Sequence, residues 1–297
     1  MGLAPCTING VNYPVCSTLA NLNQRRVLSL ENPARAAGLG FVDEHNDVGW
    51  QKYNGLRFTG TRRSSVLSLS GNYTYSMCTG TATPGSFPQI ASGYTNPANP
   101  DMDKGHCDQD RTNLANVTAG YQTPDFGNRV AHVLASNWRV TGIYTYRSGQ
   151  WINITTGADN ALNGQLQQRP NQVSDNVYGP PGSASPSKSS ATLNNYLNRE
   201  AFAAPAPGTF GNLEYRAIEG PAYWTIDAAF SRLLSLGGTR NIELRLEAFN
   251  LTNHFNWGNP TTTPTSGVAT LTSSQFGRIT TNAGAQRIMQ FGIKYGF

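Results

Sequence analysis

At 297 residues the chain has room for one large domain or two small ones. Charged residues are 13% and hydrophobic residues 38%, with mean hydropathy -0.41, so the polarity comes from Asn, Thr, Ser, Gln and Gly; with 31 Gly and 17 Pro this excludes a disordered polyelectrolyte and a helical bundle. The net charge of +5 is scattered, with no basic run denser than Arg62-Arg63, so nucleic acid is not an expected partner.

Residues 1–47 read as an irregular loop or strand segment, expected on the extracellular side, and MGLAPCTINGVNYP lacks the basic-then-apolar pattern of a signal peptide. From residue 48 onward, seven segments alternate with period two: about 54–62, 66–76, 113–122, 137–147, 222–234, 240–251 and 287–297. In the first, Leu56 and Phe58 oppose Arg57 and Thr59. In the second, Leu67, Leu69, Tyr73 and Tyr75 oppose Ser68, Ser70, Asn72 and Thr74. The third carries Ala115, Val117, Ala119 and Tyr121, and the fourth Trp138, Val140, Tyr144 and Tyr146 against Arg139, Thr141 and Thr145. Trp224, Ile226, Ala228 and Phe230 form the fifth set. Ile242, Leu244, Leu246 and Ala248 oppose Glu243, Arg245 and Glu247 in the sixth. The last, QFGIKYGF, sets Met289, Phe291, Ile293, Tyr295 and Phe297 against Gln290, Gly292 and Lys294. Each segment is about as long as the ~9–11 residues a tilted strand needs to cross a bilayer.

The connections alternate. Those around RRSS and SLGGT are tight and TPDFGNRVAHVLAS is moderate. About 77–111, 148–221 and 252–287 are long, Gly/Pro/Ser/Asn-rich and expected to be structureless. Such alternation fits an outer-membrane barrel with short periplasmic turns and long extracellular loops. Tyr73, Tyr75, Tyr144, Tyr146 and Trp224 would then form the outer aromatic belt, and Trp138 and Phe297 the inner one. The apolar sets are expected to face lipid, and Arg139, Arg245, Glu247 and Lys294 the concave side. The fold class predicted is all-β, an antiparallel meander of about seven tilted strands. In water such a chain should aggregate.

Cys6, Cys16, Cys78 and Cys107 lie outside the predicted strands, and with His45, His106, His132 and His254 they make no zinc pattern. Three disulfide connectivities are possible; Cys6–Cys16 and Cys78–Cys107 are the simplest in an oxidising compartment. DMDKGHCDQD crowds Asp101, Asp103, Asp108 and Asp110, but Gly105 falls at position five of a would-be calcium loop, so a solvated acidic loop is expected. Asp227, Glu243 and Glu247, near Arg245 and Lys294, read as lumenal ion-pairing groups. No nucleophile motif, metalloprotease motif or phosphate-binding loop is present, so no catalytic, metal or cofactor residues are expected.

The pattern Gln290, Gly292, Tyr295, Phe297 resembles the C-terminal signal by which outer-membrane barrels are recognised for assembly. YNGLRFTGTRR, LSGNYTYS, NWRVTGIYTYRSGQ, DAAFSR and above all IELRLEAFNLTNHFNWGNP resemble the barrel strands of TonB-dependent receptors, closest to the Oar-like group that carries a carboxypeptidase-regulatory-like domain. The resemblance covers roughly 46–297. It implies that 48–297 is the C-terminal part of a 22-stranded transmembrane barrel, a fragment lacking the plug, TonB box and signal peptide. It also implies energised uptake of a bulky ligand, with outer-membrane lipid and the barrel-assembly machinery as partners and TonB reached only through the plug. Loop 148–221, with its flexible PPGSASPSKSS centre, is the expected ligand-contacting or gating element. An adhesion or glycan-binding barrel is the alternative, and an outer-membrane protease or acyltransferase a third possibility for which no residue set is visible.

Overall fold

The period-two segments all become strands, and their apolar sets fall into register. The computed structural model describes residues 2–18, 20–39, 47–81, 94–164, 167–179, 193–260 and 267–297. PPGSASPSKSS and His45 lie outside these.

The N-terminal stretch forms a small hairpin of β1 (Cys6–Ile8) and β2 (Val11–Tyr13), then two short helices, α1 (Val27–Glu31) and α2 (Pro33–Ala36). There follow β3 (Gln51–Arg63), β4 (Leu67–Thr81), a three-residue β5 (Lys104–His106), β6 (Asn113–Gln122), a helix α3 (Arg129–Ala135) and β7 (Trp138–Arg147). Four two-residue strands come next: β8 (Trp151–Ile152), β9 (Asn171–Gln172), β10 (Phe202–Ala203) and β11 (Ile218–Glu219). The chain closes with β12 (Tyr223–Gly237), β13 (Arg240–Phe249) and β14 (Ile288–Gly296).

One eight-stranded antiparallel sheet dominates, in the order β14-β13-β12-β7-β6-β4-β3, with β5 added beside β4. Its register runs unbroken through the apolar sets, with one shift, between Ser235 and Gly237 at the end of β12. Leu56 opposes Tyr75, Gly71 opposes Val117, Val117 opposes Tyr144, Tyr144 opposes Ile226, Phe230 opposes Leu246, and Leu246 opposes Phe291. Because side chains alternate faces at every residue, these pairings put all seven apolar sets on one side. That side is open: Leu56, Phe58, Phe291 and Ile293 are all more than half exposed. Aromatics collect at its two ends, Tyr73, Tyr75, Tyr146 and Trp224 towards the long connections, Tyr121, Trp138 and Tyr295 towards the short ones. Among the described residues the sheet is not closed: β3 and β14 each have a neighbour on one side only.

The strands depart from expectation in instructive places. β4 runs to Thr81, five residues past its predicted end, because β5 and a disulfide hold its extension. Cys78 thus lies inside a strand, and Cys6 begins one, contrary to the expectation that all four cysteines sit outside strands. β13 stops at Phe249 because Asn250 turns left-handed, at φ 51°.

The buried core lies elsewhere. Ile152, Ile154, Leu197, Phe202, Leu213 and Ile218, from the connection between β7 and β12, pack with Ala269 and Leu271 from the connection between β13 and β14. The described parts of the long connections are therefore not structureless: they fold together into a cap with its own hydrophobic centre.

Candidate functional site

The cap gathers the polar chemistry of the chain at one end of the sheet. Its first layer grows out of β4. A disulfide joins Cys78 to Cys107 across 29 residues, which by the chain-entropy argument stabilises by about 3–4 kcal/mol. A second disulfide joins Cys6 to Cys16 in the N-terminal hairpin. Arg25 of that segment donates from Nη1 to the Leu162 carbonyl at 3.0 Å, tying it to the cap.

The four aspartates of DMDKGHCDQD do not converge. Asp101 accepts from the Trp50 indole at 3.3 Å, and Asp108 pairs with Arg216 at 2.8 Å. Asp110 meets His106 Nδ1 at 2.7 Å and accepts from the Cys78 backbone N–H at 3.0 Å, while the His106 ring stacks on Trp151 at 3.6 Å. Asp103 pairs with Arg169 at 2.5 Å. Asp103 and Asp110 are only 3% and 2% exposed, which corrects the expectation of a solvated acidic loop. Each acid has its own partner, and among the described residues no group of three His, Cys, Asp or Glu could hold a metal ion.

The Asp103–Arg169 pair is the clamp between the first two connections. Arg169 also donates to the carbonyls of Leu213 (2.8 Å) and Met102 (2.6 Å), and Asp103 accepts from Thr95 N and Oγ1. Buried charges persist only when paired and hydrogen-bonded in this way. Beside the clamp Gly105 lies so close to Tyr215 that a Cβ there would fall 1.7 Å from the Tyr215 carbonyl oxygen. The second and third connections are joined by Thr155, whose N–H donates to Ala269 O (3.1 Å) and whose carbonyl accepts from Leu271 N (2.8 Å). Tyr178 and Tyr196 meet edge to face and both donate to the Glu219 carbonyl at 2.9 Å. Burial pushes the Tyr196 hydroxyl far above the ordinary tyrosine value, aided by Tyr178 and Glu219; burial likewise raises Tyr178.

At the base of the third connection a cavity of about 340 Å³ is lined by Asn253, His254, Phe255, Asn256, Asn282, Gly284, Ala285 and Gln286. FNLTNHFNW builds it. Asn250 donates to His254 O and Ala285 O, Asn256 accepts from Trp224 N and donates to Trp224 O, and His254 stacks on Trp224 at 4.1 Å.

The remaining sequence-derived residues are placed as follows. Asp227 accepts from Asn250 N at 2.8 Å. Arg245 pairs with Glu247 at 2.6 Å, Gln290 donates to Glu247, and Glu243 opposes Lys294. They form a polar ladder opposite the apolar face. Gly292 opposes Arg245, and a Cβ there would meet nothing. Tyr295 and Phe297 stack at 6.1 Å, and Phe297 is 94% exposed. Sequence reasoning missed Arg169, an isolated cation whose partner is 66 residues away.

A family model described as an outer membrane beta barrel domain matches residues 4–290. No curated protein and no solved structure matches.

Proposed function

The chain belongs to the outer membrane β-barrel family and resides in the bacterial outer membrane, and from that premise we propose that it forms wall and cap of a TonB-dependent receptor for energised uptake of a bulky ligand. The observation that carries this reading is the open sheet. Among the described residues β3 and β14 each leave one edge of N–H and C=O groups without a strand partner, and in hydrocarbon each unpaired group costs several kcal/mol. In this reading further strands continue the wall, and only a barrel of many more than eight strands would enclose a wide lumen. A wide lumen under an ordered, clamped cap suits a large ligand and an internal plug on which TonB could act. The Oar-like resemblance supports the same reading. The pattern Gln290, Gly292, Tyr295, Phe297 would serve as the segment read by the barrel-assembly machinery.

The test is solute uptake by cells expressing the complete receptor, with and without a protonophore. Uptake abolished by the protonophore, with binding retained, is the expected result. Surface or glycan binding with no uptake under either condition would replace this reading with the adhesion one, for which the amide-lined cavity at His254 speaks.

A further inference from the structure

The connection between β6 and β7 is more than a turn. Thr123 to Asn137 fold into a fixed unit: Asn128 caps α3 by accepting from the N–H groups of Val130 and Ala131, and the buried Ser136 hydroxyl accepts from Phe126 N at 3.0 Å. Along α3, Val130, Val133 and Leu134 follow the i, i+3, i+4 spacing of one helix face. They are 66%, 57% and 66% exposed, while Ala131 and Ala135 are half-buried on the other side. A short helix has turned its apolar stripe outward and holds it there.

What holds it comes from the apolar face of the sheet. Trp138 and Arg232 are cross-strand partners on that face, and Trp138 stacks on Phe230 at 4.5 Å. The Trp138 indole donates to the Leu134 carbonyl at 2.9 Å, and Arg232 Nη2 donates to the Val133 carbonyl. The Arg232 guanidinium lies over the Trp138 ring, 4.9 Å from its centroid. Two side chains of the lipid-facing side thus cap the C-terminal carbonyls of α3, where a cation is favoured. The stripe is therefore continuous with the apolar belt, at the end of the sheet where the connections are short. Arg129 and Arg232 stand beside it, as an anionic headgroup layer requires.

We propose that this unit is a membrane-interface anchor, with Val130, Val133 and Leu134 seated in the acyl boundary of the phospholipid leaflet and Arg129 and Arg232 among its phosphates. Phospholipid is the occupant because the stripe continues a lipid-facing surface and Arg129 and Arg232 beside it are positive, while the exposed Asp125 of the same unit is paired with His132. The anchor restrains tilt and depth of the β6–β7–β12 part of the wall.

The test uses the complete barrel protein in phospholipid nanodiscs, with no other protein present. All four native cysteines are in disulfides, so V133C and L134C can each carry a polarity-sensitive fluorophore, with S65C in the polar β3–β4 turn at the same end as reference. For each site the ratio of quenching by a shallow spin-labelled lipid to quenching by aqueous iodide is measured on molecules shown to be folded by heat-modifiable mobility. A higher ratio at 133 and 134 than at 65 is expected. An equal or lower ratio overturns the proposal, and would leave the stripe as a surface for a protein partner. Phospholipid on both sides of the disc makes the outcome independent of which end faces the periplasm and of whether the receptor transports.

Discussion

Arg169 and Asp103 show how much one buried pair can decide. Asp103→Asn removes the counter-charge and leaves the guanidinium desolvated, which should destabilise the cap by about 3–5 kcal/mol. Hydrogen exchange across 95–104 and 167–172 would report it, while the sheet amides stay protected. Adding Arg169→Met removes the orphan charge and should recover a large part of the loss, since the two substitutions share one interaction. Tyr196 sets a pH limit on the same cap. Its hydroxyl stays neutral in the folded state beyond the ordinary phenol value, so its contribution is complete below about pH 10 and is lost as pH rises past that value, where only the unfolded chain sheds the proton. Tyr196→Phe should cost about 1 kcal/mol near neutrality by losing the bond to Glu219 O, and should flatten the alkaline fall in cap melting temperature.

Elements come next, and the adjacent residues Val117 and Thr118 separate the two faces of β6. Val117 lies between Gly71 and Tyr144 on the apolar side, whereas Thr118 faces away beside Ser70. Val117→Arg should cost about 2–4 kcal/mol in a bilayer and Thr118→Arg close to nothing, read from urea unfolding in lipid vesicles. That contrast explains why the strands were legible in the sequence: a membrane wall must alternate at every residue, so Leu67 to Tyr75 announce themselves locally. The cap was not legible because its core has no period. Ile154, Leu213 and Leu271 sit in short apolar stretches too brief to announce a core, and each also packs against residues from other connections tens of residues distant. DMDKGHCDQD was visible as a cluster, yet nothing local marks Asp103 as buried against Arg169. The apolar stripe of α3 was present in RVAHVLA, but seven residues are too few for periodicity to separate a helix from a loop.

For the whole molecule, the apolar side and the two free edges dominate behaviour in water. The chain without detergent or lipid should sediment as aggregates, and detergent added before refolding should prevent this; a monodisperse product in plain buffer would count against the lipid-facing assignment. The wall and the cap also differ in how far along the chain their contacts reach. Sheet pairings join strands that follow one another, while Thr155 must find Thr270, 115 residues on, across two intervening wall strands. Closing so long a loop is entropically unfavourable until the intervening strands have already brought its ends together. The cap is thus expected to finish after the wall, and the barrel could be inserted before its roof is complete. In a refolding time course, protease resistance of the wall should precede that of residues 148–164 and 193–221, leaving a brief interval in which the end of the wall is uncovered.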